Sequence, residues 1–106
     1  MINMKVTVEL WLWLGKELGQ DFKSLSSMRS ELEIKLEEDT AIGKLFDQLA
    51  KNYPVIGEKV FNRENQKFNG NIVITLNEQV ISPHKVYEIK LKGRDKITVL
   101  PVYTGG

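Results

Sequence analysis

The chemistry this chain could perform is concentrated at its end, where Tyr103 and Thr104 are followed by Gly105 and Gly106. Glycine has no Cβ, so a diglycine terminus can thread a channel too narrow for other residues and take backbone angles they avoid. Its carboxyl, with a reference pKa of about 3.3–3.7, is an anion at neutral pH and a poor acyl donor until it is activated. Conversion to a mixed anhydride with AMP supplies a leaving group, and a sulfur nucleophile that displaces the adenylate leaves a thiocarboxylate. The competing reading of such an ending is a frayed terminus with no chemistry.

Other reactive constellations are missing from the sequence. Without cysteine there is no disulfide framework, no thiolate zinc site and no cysteine nucleophile, so any sulfur comes from elsewhere. His84 is the single histidine and follows Ser82 and Pro83, which reads as a solvated loop residue, and no metal site is expected. No Gly-x-x-x-x-Gly-Lys loop occurs, so the chain is expected to bind no ATP by that means and to borrow its activation from a partner. An independent catalytic activity is the least favoured class, for want of a paired acid, base or nucleophile.

Composition bounds the rest. The 106 residues, 42% of them hydrophobic, allow one domain with a modest core. A formal net charge of +1 gives no global field for nucleic acid. Lys85, Lys90, Lys92, Arg94 and Lys96 make the C-terminal third locally basic, either as a solvated face or as a docking patch for an acidic partner. The apolar run from Leu10 to Leu14 is too short to span a membrane, and the N-terminus does not read as a signal peptide. A cytoplasmic location is expected.

The elements that must position the terminus follow from periodicity. Lys5 to Leu14 reads as a strand with Val6, Val8, Leu10, Leu12 and Leu14 on one face. Its other face changes from Lys5, Thr7 and Glu9 to Trp11 and Trp13, which either present a docking surface or fold back into a satellite core. Gly15 to Ser30 is a connection tethered by Phe22, Leu25 and Met28, and Glu31 to Glu37 alternates as a half-buried strand. Asp39 and Thr40 are N-cap types for a helix whose apolar set is Ile42, Leu45, Phe46, Leu49, Ala50 and Tyr53. Pro54 ends it, and Val55 to Phe61 adds a short helical piece. Asn62 to Asn71 reads as a mobile surface loop. Asn71 to Leu76 is a strand, Asn77-Glu78 a turn, Gln79 to Ile81 a returning strand, and Tyr87, Ile89 and Leu91 mark a further short strand before the Gly93-Arg94-Asp95 turn. The last strand is Ile97 to Leu100, where Pro101, having no N–H, is expected to end the pairing.

One main helix cannot cover both faces of a mixed four- to five-stranded sheet, so an α+β two-layer sandwich follows. Leu45, Leu49 and Ile34 should be buried, with the helix packed on the face bearing Val6, Val8 and Ile74. Trp11 should emerge on the opposite face, where Leu100 and Val102 beside the tail would complete a partner-binding surface. The domain spans residues 1–101, and 102–106 form a flexible tail.

Lys5-Val6-Thr7-Val8-Glu9-Leu10-Trp11, the Leu14 to Gly19 stretch, the helix start Asp39-Thr40-Ala41-Ile42-Gly43-Lys44-Leu45, its end at Tyr53-Pro54, and above all Gly93 to Gly106 carry a resemblance over nearly the whole chain. Together they resemble the ubiquitin-like β-grasp sulfur carriers, and most closely the small subunit of molybdopterin synthase. The chain is longer than that family's pattern chiefly at Gly19 to Ser30 and Asn62 to Asn71, and has Val102 where the family often has a second proline. The resemblance implies that Gly106 is adenylated by a ubiquitin-activating-like adenylyltransferase that uses ATP, and is then sulfurated. It further implies delivery to the large subunit of molybdopterin synthase. Gly105 would be the slim approach, and Pro101, Val102, Tyr103 and Thr104 would lie against the partner. Sulfur delivery for thiamine or cysteine synthesis, protein modification, and a non-covalent β-grasp binding module are the alternatives.

Overall fold

Val6, Val8 and Leu10 alternate with polar residues, and in the computed structural model, which describes residues 3–12 and 15–102, all three are buried. They lie on β1 (Asn3–Trp11). After it come α1 (Gly15–Leu18), β2 (Lys23–Ser24), β3 (Arg29–Glu37), α2 (Ile42–Asn52) and α3 (Pro54–Lys59). The second half holds β4 (Phe61–Asn62), β5 (Lys67–Phe68), β6 (Ile72–Leu76), β7 (Gln79–Ile81) and β8 (Lys96–Pro101). The first strand thus ends at Trp11, and Trp13 and Leu14 lie outside the described residues.

The main sheet has the order β2-β3-β1-β8-β6-β7. β1 pairs antiparallel with β3, bringing Met4 opposite Leu36, Val6 opposite Ile34 and Val8 opposite Leu32, and pairs parallel with β8 on its other side. A parallel central pair requires a crossover, and the segment carrying α2 and α3 provides it. This is the expected α+β, ubiquitin-like β-grasp arrangement: five mixed strands with one main helix on one face, extended by the two-residue edge strand β2. Ile42, Leu45, Phe46, Leu49 and Ala50 are buried along α2, and the core they join includes Val6, Val8, Ile74, Ile97 and Val99. Ile34 is only half-buried, close to the edge formed by β2 and β3. Phe22 tethers the 15–30 segment, with its ring edge-on to Tyr53 at 5.1 Å, while Leu25 is exposed and does not.

Three local expectations are corrected. Asp39 and Thr40 do not cap α2: Asp39 takes a positive φ of 67°, and Thr40 turns its hydroxyl back to Glu37 O at 2.7 Å. Residue Ala41 occupies the cap position without a side-chain bond, and the first helical N–H groups are satisfied from far along the chain. Ile42 N–H donates to Ile89 O at 3.0 Å and Gly43 N–H to Val86 O at 2.9 Å. That use of the 86–89 carbonyls explains the second correction. Tyr87, Ile89 and Leu91 form no strand; this stretch makes turns, with one isolated bridge between Ala41 and Lys90. Its apolar residues still face the core, so the alternation records burial rather than a ladder.

The third correction concerns 62–71, which is a hairpin of β4 and β5 rather than a plain loop. Phe68 packs edge-on against Phe46 at 4.9 Å and at a tilt against Phe61 at 4.7 Å. Asn62 accepts from the N–H groups of Glu64 and Asn65, and Asn65 accepts from Lys67 N–H, so the asparagines close its turn.

Candidate functional site: the root of the tail and the open sheet face

β8 is held along both sides. On one side it runs parallel to β1 from Thr7↔Lys96 to Leu10↔Val99, and on the other antiparallel to β6 from Leu76↔Ile97 to Ile72↔Pro101. Its start is fixed by Asn77, whose side chain accepts from Lys96 N–H at 2.9 Å and donates to Asp95 at 2.9 Å. Asn77 and Glu78 both have positive φ, as a tight two-residue hairpin turn requires.

Pairing was expected to fail at Pro101, and it does not. Val102 N–H donates to Asn71 O at 2.8 Å. Because antiparallel pairs alternate between bonded and non-bonded, this bond makes Ile72↔Pro101 a non-bonded pair, in which the missing proline N–H is not needed. Pairing with β1, on the side the proline nitrogen faces, has ended at Val99. Leu100 and Pro101 are half-buried and Val102 is exposed. The sequence-predicted residues Tyr103, Thr104, Gly105 and Gly106 lie outside the described residues.

The face of the sheet away from α2 carries Trp11, as alternation from Val6, Val8 and Leu10 requires. Trp11 stands opposite Arg29 in the β1–β3 register, and the Arg29 guanidinium lies 4.5 Å from the centre of its ring. The indole is half-buried, and its Nε1 is buried with no acceptor among the described residues. Trp11, Thr98 and Leu100 line one recess on this face, and Val102 lies beyond it at the end of β8.

Sequence reasoning missed the group beside them. Glu9 is 1% exposed although it lies on the uncovered face. Its Oε1 accepts from Arg29 Nε at 2.6 Å and contacts Nη2 of the same guanidinium, while Lys96 Nζ lies 2.7 Å from Oε2. Burial pushes the Glu9 carboxyl up, but the bonds and charges of Lys96 and Arg29 outweigh it and hold the group below the usual glutamate value. The signal available in the sequence was one acid flanked by apolar positions; its partners stand on other strands and needed the register to be found.

The remaining candidates disperse. Lys85, Lys90, Lys92 and Arg94 are exposed, whereas Lys96 is drawn in by Glu9. His84 is exposed in a turn where its N–H is bound by the Ser82 hydroxyl at 3.3 Å. Among the described residues no group of three or more His, Cys, Asp or Glu is placed to hold a metal ion, and no helix is long and apolar enough to cross a membrane.

A family model described as the ThiS family matches residues 20–106, a span that includes the terminal glycines. Comparison with curated proteins finds no match. Among solved structures, the small archaeal modifier protein 1 of Methanosarcina acetivorans is similar over 100% of both chains, at 24% identity and a TM-score of 0.67. A putative molybdopterin converting factor, subunit 1, from Pyrococcus furiosus is similar at 22% identity, over 94% of this chain and 99% of that one, with a TM-score of 0.64. A chain of the BexX/CysO complex of Amycolatopsis orientalis is similar at 20% identity, over 95% and 99% of the two chains, with a TM-score of 0.61.

Proposed function

This chain belongs to the ThiS family of ubiquitin-like β-grasp sulfur carriers, and we propose that its C-terminal glycine, Gly106, is the atom-transferring group. In this reading the Gly106 carboxylate attacks the α-phosphorus of ATP held by a ubiquitin-activating-like adenylyltransferase, releasing pyrophosphate and forming an acyl adenylate. A sulfide-level sulfur nucleophile (HS−) then attacks the acyl carbon, AMP leaves with the electron pair of the broken acyl–phosphate bond, and the terminal carboxylate becomes a thiocarboxylate. The chain binds no nucleotide itself and works in the cytoplasm. The observation that carries this reading is the family match, which runs to the end of the chain and so includes Gly105 and Gly106.

Molybdopterin synthesis is the pathway we assign, with the large subunit of molybdopterin synthase as the receiving partner. Its support is the similarity of the N-terminal strand, helix start and ending to that branch, and a putative molybdopterin converting factor subunit shares the fold. Docking to the adenylyltransferase, and then to the synthase, uses the open sheet face, with Trp11, Leu100, Pro101 and Val102 against the partner and Tyr103 and Thr104 leading into its cleft. The fold is shared with a protein modifier as well, so conjugation of Gly106 to a protein amine is the second reading.

The reach of the tail supplies the test. The five residues after Pro101 span at most about 18 Å when extended, so one residue more or less is a large misplacement at a reacting atom. Deleting Gly106, or adding one residue after it, is expected to abolish adenylate-dependent sulfur loading and leave the fold unchanged. Normal loading of the extended chain would overturn the assignment.

A further inference from the structure

A buried carboxylate on an uncovered sheet face needs an explanation, and Glu9 has no role in the chemistry proposed for the tail. Among the described residues its carboxylate is bound by side chains from neighbouring strands of its own sheet. Arg29 comes from β3, Lys96 from β8, and Trp11 lies two residues on along β1. Stability alone does not account for this arrangement. These strands are already joined by backbone ladders, and ion pairs of this kind are often replaceable by apolar residues at no cost in stability.

Its geometric consequence is specific. An arginine has five N–H donors in a rigid plane; here Nε donates to Glu9 Oε1 and Nη2 contacts the same oxygen. That fixes the plane of the guanidinium, and the same guanidinium lies 4.5 Å from the centre of the Trp11 ring. The second Glu9 oxygen holds Lys96, which lines the same recess as Trp11, Thr98 and Leu100. The outer parts of both cations remain available, since the Arg29 and Lys96 side chains are 38% and 44% exposed. Tryptophan and arginine are the residue types that most often dominate docking energetics, and ordering them before contact removes an entropic cost from binding.

We infer that Glu9 is a positioning residue for docking to the adenylyltransferase: it makes no contact with that partner and acts by holding Arg29 over Trp11 and drawing Lys96 into the recess that Trp11 and Leu100 also line. The inference rests on the docking face assigned above. It implies a partner surface with an apolar pocket for Trp11 and Leu100, edged by oxygen acceptors for the free donors of Arg29 and Lys96.

The test is a double-mutant cycle on ATP–pyrophosphate exchange by the cognate adenylyltransferase, with the full-length chain as the varied substrate. Glu9→Gln is isosteric, and both cations can turn to water when the carboxylate charge is lost, so the variant is expected to fold; circular dichroism checks that. Trp11→Ala should raise KM by about 30-fold. Glu9→Gln should raise KM at least about fivefold with kcat unchanged, and should add less than about twofold when Trp11 is already alanine. A KM for Glu9→Gln within twofold of wild type, or a full and additive effect on the Trp11→Ala background, overturns the positioning role while leaving the docking face standing. An unchanged KM for Trp11→Ala removes the docking face, and the inference with it.

Discussion

Tyr87 shows how one residue can serve two elements. Its hydroxyl donates to Asp47 Oδ2 at 3.0 Å, and burial, that bond and the neighbouring carboxylate push its phenol up to about 12 from an ordinary value of 10.0. A group whose folded pKa is raised contributes stability that is complete below its unfolded value and is lost as pH rises through the folded one. The wild-type protein should therefore lose stability between about pH 10 and pH 12, and Tyr87→Phe should flatten that part of the profile. Denaturant midpoints across the alkaline range measure it; an identical alkaline slope in the variant would contradict the assignment. Glu9 gives the opposite sign, because its carboxyl is held low: its contribution is present above the usual glutamate value and is lost as pH falls through the folded pKa. At this scale the sequence was half legible. Alternation placed Trp11 on the face away from the helix, but nothing local marked Glu9 as buried, because its cover is assembled from β3 and β8.

Among the elements, α2 was readable from its apolar spacing and its start was not. Asp39 and Thr40 are good caps in isolation, yet the N–H groups of Ile42 and Gly43 are taken by carbonyls more than 40 residues away. A distant segment that supplies the cap also has to lie close, and Gly43 is where it does. A Cβ built there would stand 2.6 Å from two ring carbons of Tyr87, closer than real contacts allow. Gly43→Ala should therefore destabilise by about 1–3 kcal/mol, although alanine is the better helix former. Chemical denaturation would register the loss; a variant as stable as wild type would mean that the 86–91 segment moves aside freely. The same crossing explains why Tyr87, Ile89 and Leu91 alternate without forming a strand. The carbonyls of Val86 and Ile89 are turned towards α2, and the apolar side chains of the segment pack against the core. The 62–71 segment misled for a related reason. Asparagines signal turns, and here the turns close a short hairpin whose one aromatic, Phe68, joins Phe46 and Phe61.

For the molecule as a whole, the order of strands and helix was enough to give the two-layer sandwich, since one helix covers one face. The register added what the order could not: β8 is paired on both sides up to Val99 and on one side as far as Val102, so the tail starts from a fixed point. A free module that merely binds through its sheet would have no use for a fixed origin at its terminus. The central claim is that Gly106 carries sulfur, and intact mass spectrometry tests it most directly. After incubation of the full chain with ATP, a sulfur donor and the cognate adenylyltransferase, replacement of one terminal oxygen by sulfur should add about 16 Da. Fragmentation should place the change on Gly106, and omission of ATP should prevent it. An unmodified mass under conditions in which the same enzyme forms the adenylate, or a mass change located elsewhere in the chain, would contradict the account.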